Sequence, residues 1–499
     1  MDFSHILRVA WFTFFQATLS TLMALLIGIP AAFFCGRRNF PARRFLLSLS
    51  AIPFCLPSLL IALGYVTFLG VNGGLNRFLM FVFGLEKPPV RLLYSFVGLI
   101  IAHGFYNFPL IMKNLSDAWE RLPLEPAESA RLLGASEGRI FRTLTLHQLM
   151  PSIASSSLLV FIYCFLSFIL VLLFGGIGNS TLEVEIYKAA RATLDYKQVG
   201  LLALIETSIL IIVTILYTML EQKTSKLKGL ASEVWNTRIK LSGAGEISAF
   251  ALVILLIAVF FLAPLLGIVF NAFTSSQTGV TAGPAGITLS TFRRVIKMKS
   301  FWPSVASTIK VGACTGFLCI LLGFAYSLLL QFLEGKNGRP VNLIFKVVPM
   351  LPMAISSVVV GVLITMIVHR GNVFCLILAQ SLLNWPLAFR VIYPHLSKIN
   401  RDTMDASLIL SKSKLDIIWR VLLPVSKKSL ITAFGFCFAI SAGDTTLPLV
   451  LAIPRFDTLS LFTYRLAGAY RFNEACAAGV ILGLICALVF VITGRVRRR

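Results

Sequence analysis

The chain has 499 residues, of which 57% are hydrophobic and 13% charged, about half the charged share of an ordinary soluble domain. Its formal net charge of +24 sits in short basic segments beside apolar runs, not on a folded basic domain, which argues against a nucleic-acid partner. The nine cysteines fall in apolar runs without a CxxC pair and read as small buried hydrophobes, which excludes a disulfide framework and a cysteine metal site.

Eleven runs of about 20 apolar residues, the length that crosses a bilayer core, follow one another along the chain. They predict membrane helices at 10–34, 46–70, 92–113, 147–173, 199–220, 246–270, 304–332, 343–368, 372–395, 427–452 and 475–493. Within hydrocarbon such runs are helical, because a helix satisfies its own backbone; the fold class is therefore an all-α polytopic membrane protein. Pro53 and Pro57 in the second run, and Pro349 and Pro352 in the eighth, should kink those spans. Basic clusters at Arg37, Arg38, Arg43 and Arg44, at Lys223, Lys226, Lys228, Arg238 and Lys240, and at Arg495 to Arg499 orient the chain by the positive-inside rule and attract anionic lipid. The connections 35–45, 114–146, 221–245, 333–342 and 396–426, and the C-terminal tail, are then cytoplasmic. Those at 71–91, 174–198, 271–303, 369–371 and 453–474 face outward.

Residues 99–187 recur without a gap at 376–464, an offset of 277. Asn107-Phe108-Pro109 returns as Asn384-Trp385-Pro386, Ser136 as Ser413, Thr181-Leu182 as Thr458-Leu459 and Tyr187 as Tyr464. The chain thus reads as two fused copies of one unit, 1–222 and 246–499, joined by a cytoplasmic linker at 223–245. Six spans separate the repeated loops, an even number, so the copies are parallel, related by an axis along the membrane normal. They are unequal. The span 246–270 has no partner in the first copy, so that copy lacks a helix or its start lies too far downstream. The first copy also has the longer outer loop, with 46 residues from Pro57 to His103 against 28 from Pro352 to Gln380.

The repeated cytoplasmic loops carry the strongest functional signal. One reads Pro126-Ala-Glu-Ser-Ala-Arg-Leu-Leu-Gly134-Ala-Ser136, the other Met404-Asp-Ala-Ser-Leu-Ile-Leu-Ser411-Lys-Ser413. Each predicts a short helix, a tight turn and a second helix that re-enters the membrane. Pro126 suits a first turn, Gly134 the left-handed position after a helix end, and Ser136 and Ser413 the cap of the next helix, with Asp416 completing a capping box. Ala130, Leu133, Phe141, Ile418 and Trp419 leave apolar surface outside the bilayer, on helices too short to stand alone. A docking partner is the reading; amphipathic loops lying on the lipid are the plainer one, made less attractive by two copies on one face.

Polar residues inside the spans are few and costly. Asp444 sits mid-span where the first copy has Ser167; Glu206 lies in 199–220, His103 in 92–113 and Lys310 near the outer end of 304–332. Asp444, Glu206 and His103 either line a translocation path, the carboxylates suiting a cationic cargo, or form hydrogen bonds that brace the bundle. Leu241-Ser-Gly-Ala-Gly245 looks like an ATPase signature loop, but no GxxxxGK[ST] loop accompanies it, so it reads as a helix-start linker in a chain that does not itself bind ATP.

The Glu-x-Ala-x3-Gly spacing, followed by apolar residues toward a Leu-x-Leu-Pro-like end, resembles the EAA loop of binding-protein-dependent ABC importer permeases. The resemblance implies the type I importer fold, with coupling to a cytoplasmic ATPase through Glu128, Ala130 and Gly134 in one copy and Asp405, Ser407 and Ser411 in the other. His147 stands where the family has proline, Asp405 replaces glutamate and Ser411 replaces glycine, so the second turn should be less sharp. Ala102-His-Gly-Phe-Tyr-Asn-Phe-Pro109, Cys164-Phe-Leu-Ser-Phe with Gly175-Gly176, Thr181-Leu-Glu-Val-Glu-Ile-Tyr187 and Ser441-Ala-Gly-Asp444 are most similar to fused thiamine permeases, which typically carry one more N-terminal helix. Implied partners are two copies of an ABC ATPase, an extracytoplasmic substrate-binding protein and membrane lipid, in a cytoplasmic membrane, with no cofactor and no enzymatic activity in this subunit. Thiamine or a thiamine phosphate is the implied cargo, with ferric iron the alternative. An ion-coupled secondary transporter is a further rival, short of charges in its bundle. A membrane enzyme is more distant, because no cluster has metal spacing and no nucleophile–base pair is evident.

Overall fold

The computed structural model describes residues 3–123, 125–175, 180–230, 238–274, 287–337, 345, 347–368, 371–399 and 401–498. The principal helices in the first part are α1 (Phe3–Arg37), α2 (Ser58–Leu69), α3 (Gly74–Phe83), α4 (Phe96–Trp119), α5 (Glu125–Leu132), α6 (Leu146–Phe165), α7 (Phe168–Phe174), α8 (Leu182–Lys188) and α9 (Tyr196–Leu230). There follow α10 (Ala244–Ile257), α11 (Ala263–Ala272), α12 (Phe301–Asn337), α13 (Ser357–Val368), α14 (Val373–Leu396), α15 (Arg401–Leu410), α16 (Leu423–Gly443), α17 (Thr446–Leu451), α18 (Leu459–Gly468) and α19 (Phe472–Arg498). Among the described residues, ten helical stretches are long and apolar enough to cross a membrane, and the bent pair Val348–Ala354 and Ser357–Val368 makes an eleventh. The protein is a multi-pass membrane protein with a helical fold.

The proline kinks are full breaks. The second span opens with short turns, Leu49–Ala51 and Ile52–Cys55, and resumes at Ser58 beyond Pro57; its counterpart turns through 85° after Pro352. Two further breaks, at 166–167 between α6 and α7 and at 444–445 between α16 and α17, divide spans that the sequence presents as continuous. The longer 71–91 connection of the first copy holds α3. Asn76 pins it: its Nδ2 donates to Gly70 O, Val71 O and Val90 O, and its Oδ1 accepts from Val90 N.

The residues form two compact units that interleave along the chain. The first comprises 1–53, 64–188 and 195–267, the second 54–63, 189–194 and 268–499. Most of the unpaired span, α10 and the start of α11, thus packs within the first unit. Phe250 lies against Phe34 and Phe40, Phe260 stacks on Phe105 at 4.9 Å, Phe261 meets Phe108 edge-on, and Tyr65 Oη donates to Phe260 O at 2.9 Å. Such pairs add about 0.5–1.5 kcal/mol each beyond buried area. Where lipid is as apolar as leucine, geometry of this kind holds helices together. Within the second unit, Pro57 lies against Gly443 and Leu60 against Gly479, places where a Cβ would collide.

Close helix crossings in both units are built on glycine. A Cβ on Gly28 of α1 would meet Ile111 of α4 at 2.8 Å, and one on Gly323 of α12 would meet Phe389 N of α14 at 2.9 Å and Ala388 at 3.0 Å. Ile111 and Ala388 are related by the 277 offset, whereas Gly28 and Gly323 are related by 295. The difference equals the extra length of the outer loop. Not every cysteine is buried: Cys314 is exposed and Cys375 half-buried on apolar helices, where a small thiol needs no cover. Gly28→Leu or Gly323→Leu should each cost about 1–3 kcal/mol by overpacking and lower the melting temperature in detergent, while Gly138→Ala, which faces open space, should leave it unchanged.

Candidate coupling loops and buried polar brackets

The first loop turns as its glycine requires. At the end of α5, Gly134 adopts φ +80, Ala135 N donates to Ala130 O at 3.0 Å and Gly134 N to Arg131 O at 2.9 Å, the double bond pattern of a left-handed helix end. The helix Glu137–Ile140 follows, then a π-helical turn, Phe141–Thr145, and α6. Ser136 occupies the cap position, but its side chain makes no cap bond, a correction to the expectation; its carbonyl accepts from Arg139 N and Ile140 N instead. Arg131 reaches across the turn to Glu137 with two nitrogens, holding that carboxyl below the ordinary glutamate range and the guanidinium above its own. Both side chains are solvent-exposed, so the pair orders the turn more than it stabilises the fold.

The second loop differs in detail. Ser411 keeps an ordinary φ, its N donating to Ser407 O at 3.1 Å, so the helix end is the plainer one that glycine's absence allows. Ser413 Oγ accepts from Asp416 N at 3.3 Å, and Asp416 Oδ2 accepts from Lys412 N at 3.4 Å, one residue short of a strict reciprocal box. A π-helical turn, Ile418–Leu422, again precedes the re-entering span. Since Pro424 follows only this one, the missing proline N–H does not cause the turns. Wide turns of this kind mark functional helices more often than inert ones.

The expected coupling residues do not share one face. Glu128 and Gly134 are exposed, Ala130 and Ser411 are half-buried, and Ser407 is buried with its hydroxyl on Met404 O. The side chain of Asp405 lies outside the described residues, as does Gly176. The outward faces include Leu133 and Trp419, expected from the sequence as apolar surface, together with Leu132, Ile409, Leu410 and Leu415, which it did not single out. Leu132 and Leu133 are 89% and 88% exposed, and at the repeat offset Ile409 and Leu410 are both 84% exposed. Leu415 and Trp419 extend the second patch. Apolar pairs recurring at one offset, outside any span, were the available signal.

The intramembrane polar residues form two brackets, one in each unit. In the first, Gln16 Nε2 donates to Cys164 O at 2.8 Å, which leaves Gln16 Oε1 as acceptor for His103 Nδ1 at 3.1 Å. The proton on Nδ1 makes Nε2 the acceptor for Ser167 Oγ at 2.7 Å. In the second, Gln380 occupies the histidine's place. Its Oε1 accepts from Ser441 Oγ at 2.6 Å and its Nε2 donates to Asp444 Oδ2 at 2.9 Å. Asp444 Oδ1 accepts from Thr446 N and Leu447 N, capping α17. Ser167 and Asp444 are the break points of their spans, so each bracket ties a broken helix to its neighbours. Thr13 Oγ1 accepts from Leu182 N, and Thr308 Oγ1 from Leu459 N, fastening the following helix in the same way.

Glu206 is fully buried in α9, and Lys310 is exposed. Among the described residues no three His, Cys, Asp or Glu side chains gather as a metal site. Gly243 of the signature-like Leu241–Gly245 stretch lies at φ +87 as the cap of α10. His103→Leu should strand Gln16 Oε1 and the Ser167 hydroxyl at about 1–3 kcal/mol each, lowering the melting temperature in detergent. His103→Gln, which reproduces the second bracket's amide, should recover most of that loss in the same measurement.

Residues 28–226 and 332–499 each match the family described as binding-protein-dependent transport system inner membrane component. The chain is 26% identical over 510 residues to the thiamine transport system permease protein ThiP of Brucella abortus (strain 2308), covering 99% of this chain and 88% of that one. It is 25% identical over 506 residues to ThiP of Escherichia coli (strain K12), covering 98% and 89%. A crystal structure of a bacterial ABC transporter involved in alginate import aligns with 51% of this chain and 94% of its own at 16% identity and a TM-score of 0.38. With two matched segments spanning most of its length, the chain belongs to the binding-protein-dependent transport system inner membrane component family.

Proposed function

We propose that the chain supplies both permease halves of an ATP-driven importer of thiamine, or of a thiamine phosphate, in the cytoplasmic membrane. The observation that carries the reading is the duplicated apolar pair, Leu132-Leu133 and Ile409-Leu410, presented outside the spans at the ends of short helices. A short helix exposing leucines needs a groove to pack into. Two such helices on one face call for two copies of an ATPase. The Arg-rich connections put that face, with the C-terminus, in the cytoplasm. An extracytoplasmic binding protein then delivers cargo to the opposite side. Near-complete coverage of relatives named for thiamine transport supports the cargo.

In this mechanism ATP hydrolysis belongs to the separate subunit, and this chain converts its closure into span movement. ATP and the loaded binding protein must each favour the outward-facing state, because a ligand that binds both states equally shifts neither. The halves 1–222 and 246–499, joined by 223–245, act as the two permease copies. Asp444, Glu206 and His103 line the cargo's path in the same reading. Asp444, half-buried with its carboxylate at a helix break, is the group best suited to a cationic cargo.

Membrane-extracted chain should co-purify with a cytoplasmic ATPase at about two copies per chain, and the pair should separate in a Leu133→Arg/Leu410→Arg variant, since a buried unpaired charge costs several kcal/mol per site. The accompanying binding protein should bind thiamine in calorimetric titration. A chain that emerges alone and still drives uptake from an ion gradient would make it a secondary transporter. Unchanged uptake in Asp444→Asn, at normal membrane abundance, would remove that residue from the path.

A further inference from the structure

Beside the first loop lies a charge cluster that the mechanism so far does not use. Glu120 is the residue at which α4 ends and the loop begins. Its Oε1 accepts from Arg43 Nη2 and forms an ion pair with Arg238 Nη2 at 3.2 Å. Arg43 also donates from Nε to Cys35 O at 2.6 Å, satisfying a carbonyl near the end of α1. Beside it, the strands β1 (Arg38–Asn39) and β2 (Ile239–Lys240) pair in parallel, with Arg38 facing Ile239, and Arg38 Nε donates to Glu246. Next to Glu120, the buried Trp119 lies between Phe33 at 5.5 Å and Phe141 at 6.2 Å, and Phe141 opens the loop's π-helical turn. The end of α1, the linker's last residues and the base of the loop are therefore joined through one carboxylate and one indole, all within the first unit.

The second copy has no such device. At the repeat offset Glu120 becomes Ser397, Trp119 becomes Leu396 and Phe141 becomes Ile418. We propose that Glu120 is a positioning residue for energy coupling. By holding Arg43 and Arg238 together at the root of the first loop, it makes that loop move as one body with the linker, so the chain presents the ATPase pair with one braced loop and one compliant loop. The three charged side chains are largely withdrawn from solvent, where salt screens a pair less than at the open surface. The proposal rests on the reading that the loops engage an ATPase.

The test uses full-length chain reconstituted in proteoliposomes with its ABC ATPase and binding protein, comparing wild type, Glu120→Gln, Glu120→Asp and Ser397→Ala. Thiamine uptake per ATP hydrolysed should fall about fivefold in Glu120→Gln, the order expected when one member of a coupling network is neutralised. It should stay near wild type in Glu120→Asp and Ser397→Ala. Tryptic cleavage of the linker between Lys223 and Lys240 should also quicken in Glu120→Gln, a readout independent of the ATPase. A wild-type chain that binds no ATPase defeats the importer reading, and the proposal falls with it. A working wild type whose uptake per ATP is unchanged by Glu120→Gln overturns the proposal alone, whatever happens to the cleavage.

Discussion

A helix cannot be interrupted inside hydrocarbon unless something takes up the backbone groups the interruption frees. That constraint organises both units. The spans that break at Ser167 and at Asp444 do so where a buried polar cluster is waiting to bond the groups around the break. In the second unit the carboxylate of Asp444 takes up the two amides at the start of α17 while Gln380 occupies its other oxygen. In the first, an imidazole and a hydroxyl occupy the corresponding places. Two different chemistries at one offset solve the same problem, so the positions serve the break and only the residue types are free to change.

The same reasoning separates residues that hold the fold from those that face outward. Ser407 falls in the coupling spacing, yet its hydroxyl is spent on the preceding turn, while its neighbours Ile409 and Leu410 stand in solvent. Spacing along a short helix identifies the loop but not which side of it is presented. That side depends on how the adjoining span re-enters, and in both loops the re-entry runs through a π-helical turn.

Much of this was legible in the sequence. Eleven apolar runs correspond to ten spanning helices and one bent pair, because bilayer thickness dictates a length that no soluble core demands. The 277 offset exposed the loops, and Gly134 announced its left-handed turn. The breaks at 166–167 and 444–445 were hidden, since each rests on a side-chain bond that spacing does not show: Asp444 caps the resumed helix, whereas Ser167 makes no cap bond and is held by His103. The brackets were hidden for another reason. They join the span opening each copy to the rest, and across the longer outer loop the equivalence shifts from 277 to 295, so Thr13 and Thr308, or Gly28 and Gly323, do not line up until the helices are packed. Interleaving is equally remote from sequence. That α10 packs within the first unit depends on Phe250, Phe260 and Phe261 finding Phe34, Phe105 and Phe108, and an aromatic in an apolar run declares no partner.

Fusion of two copies also removes a symmetry that separate identical subunits would impose. Once the halves share a chain, each bracket, turn and loop root is free to diverge. Glu120, Trp119 and Phe141 have polar or aliphatic counterparts in the second copy, whereas the π-helical turns and exposed apolar pairs are kept in both. What is kept is what a pair of like partners would read. What differs at the root of the first loop includes the carboxylate that pairs with Arg238 of the linker, so under the proposal the inequality of the loops follows from the connection between the halves.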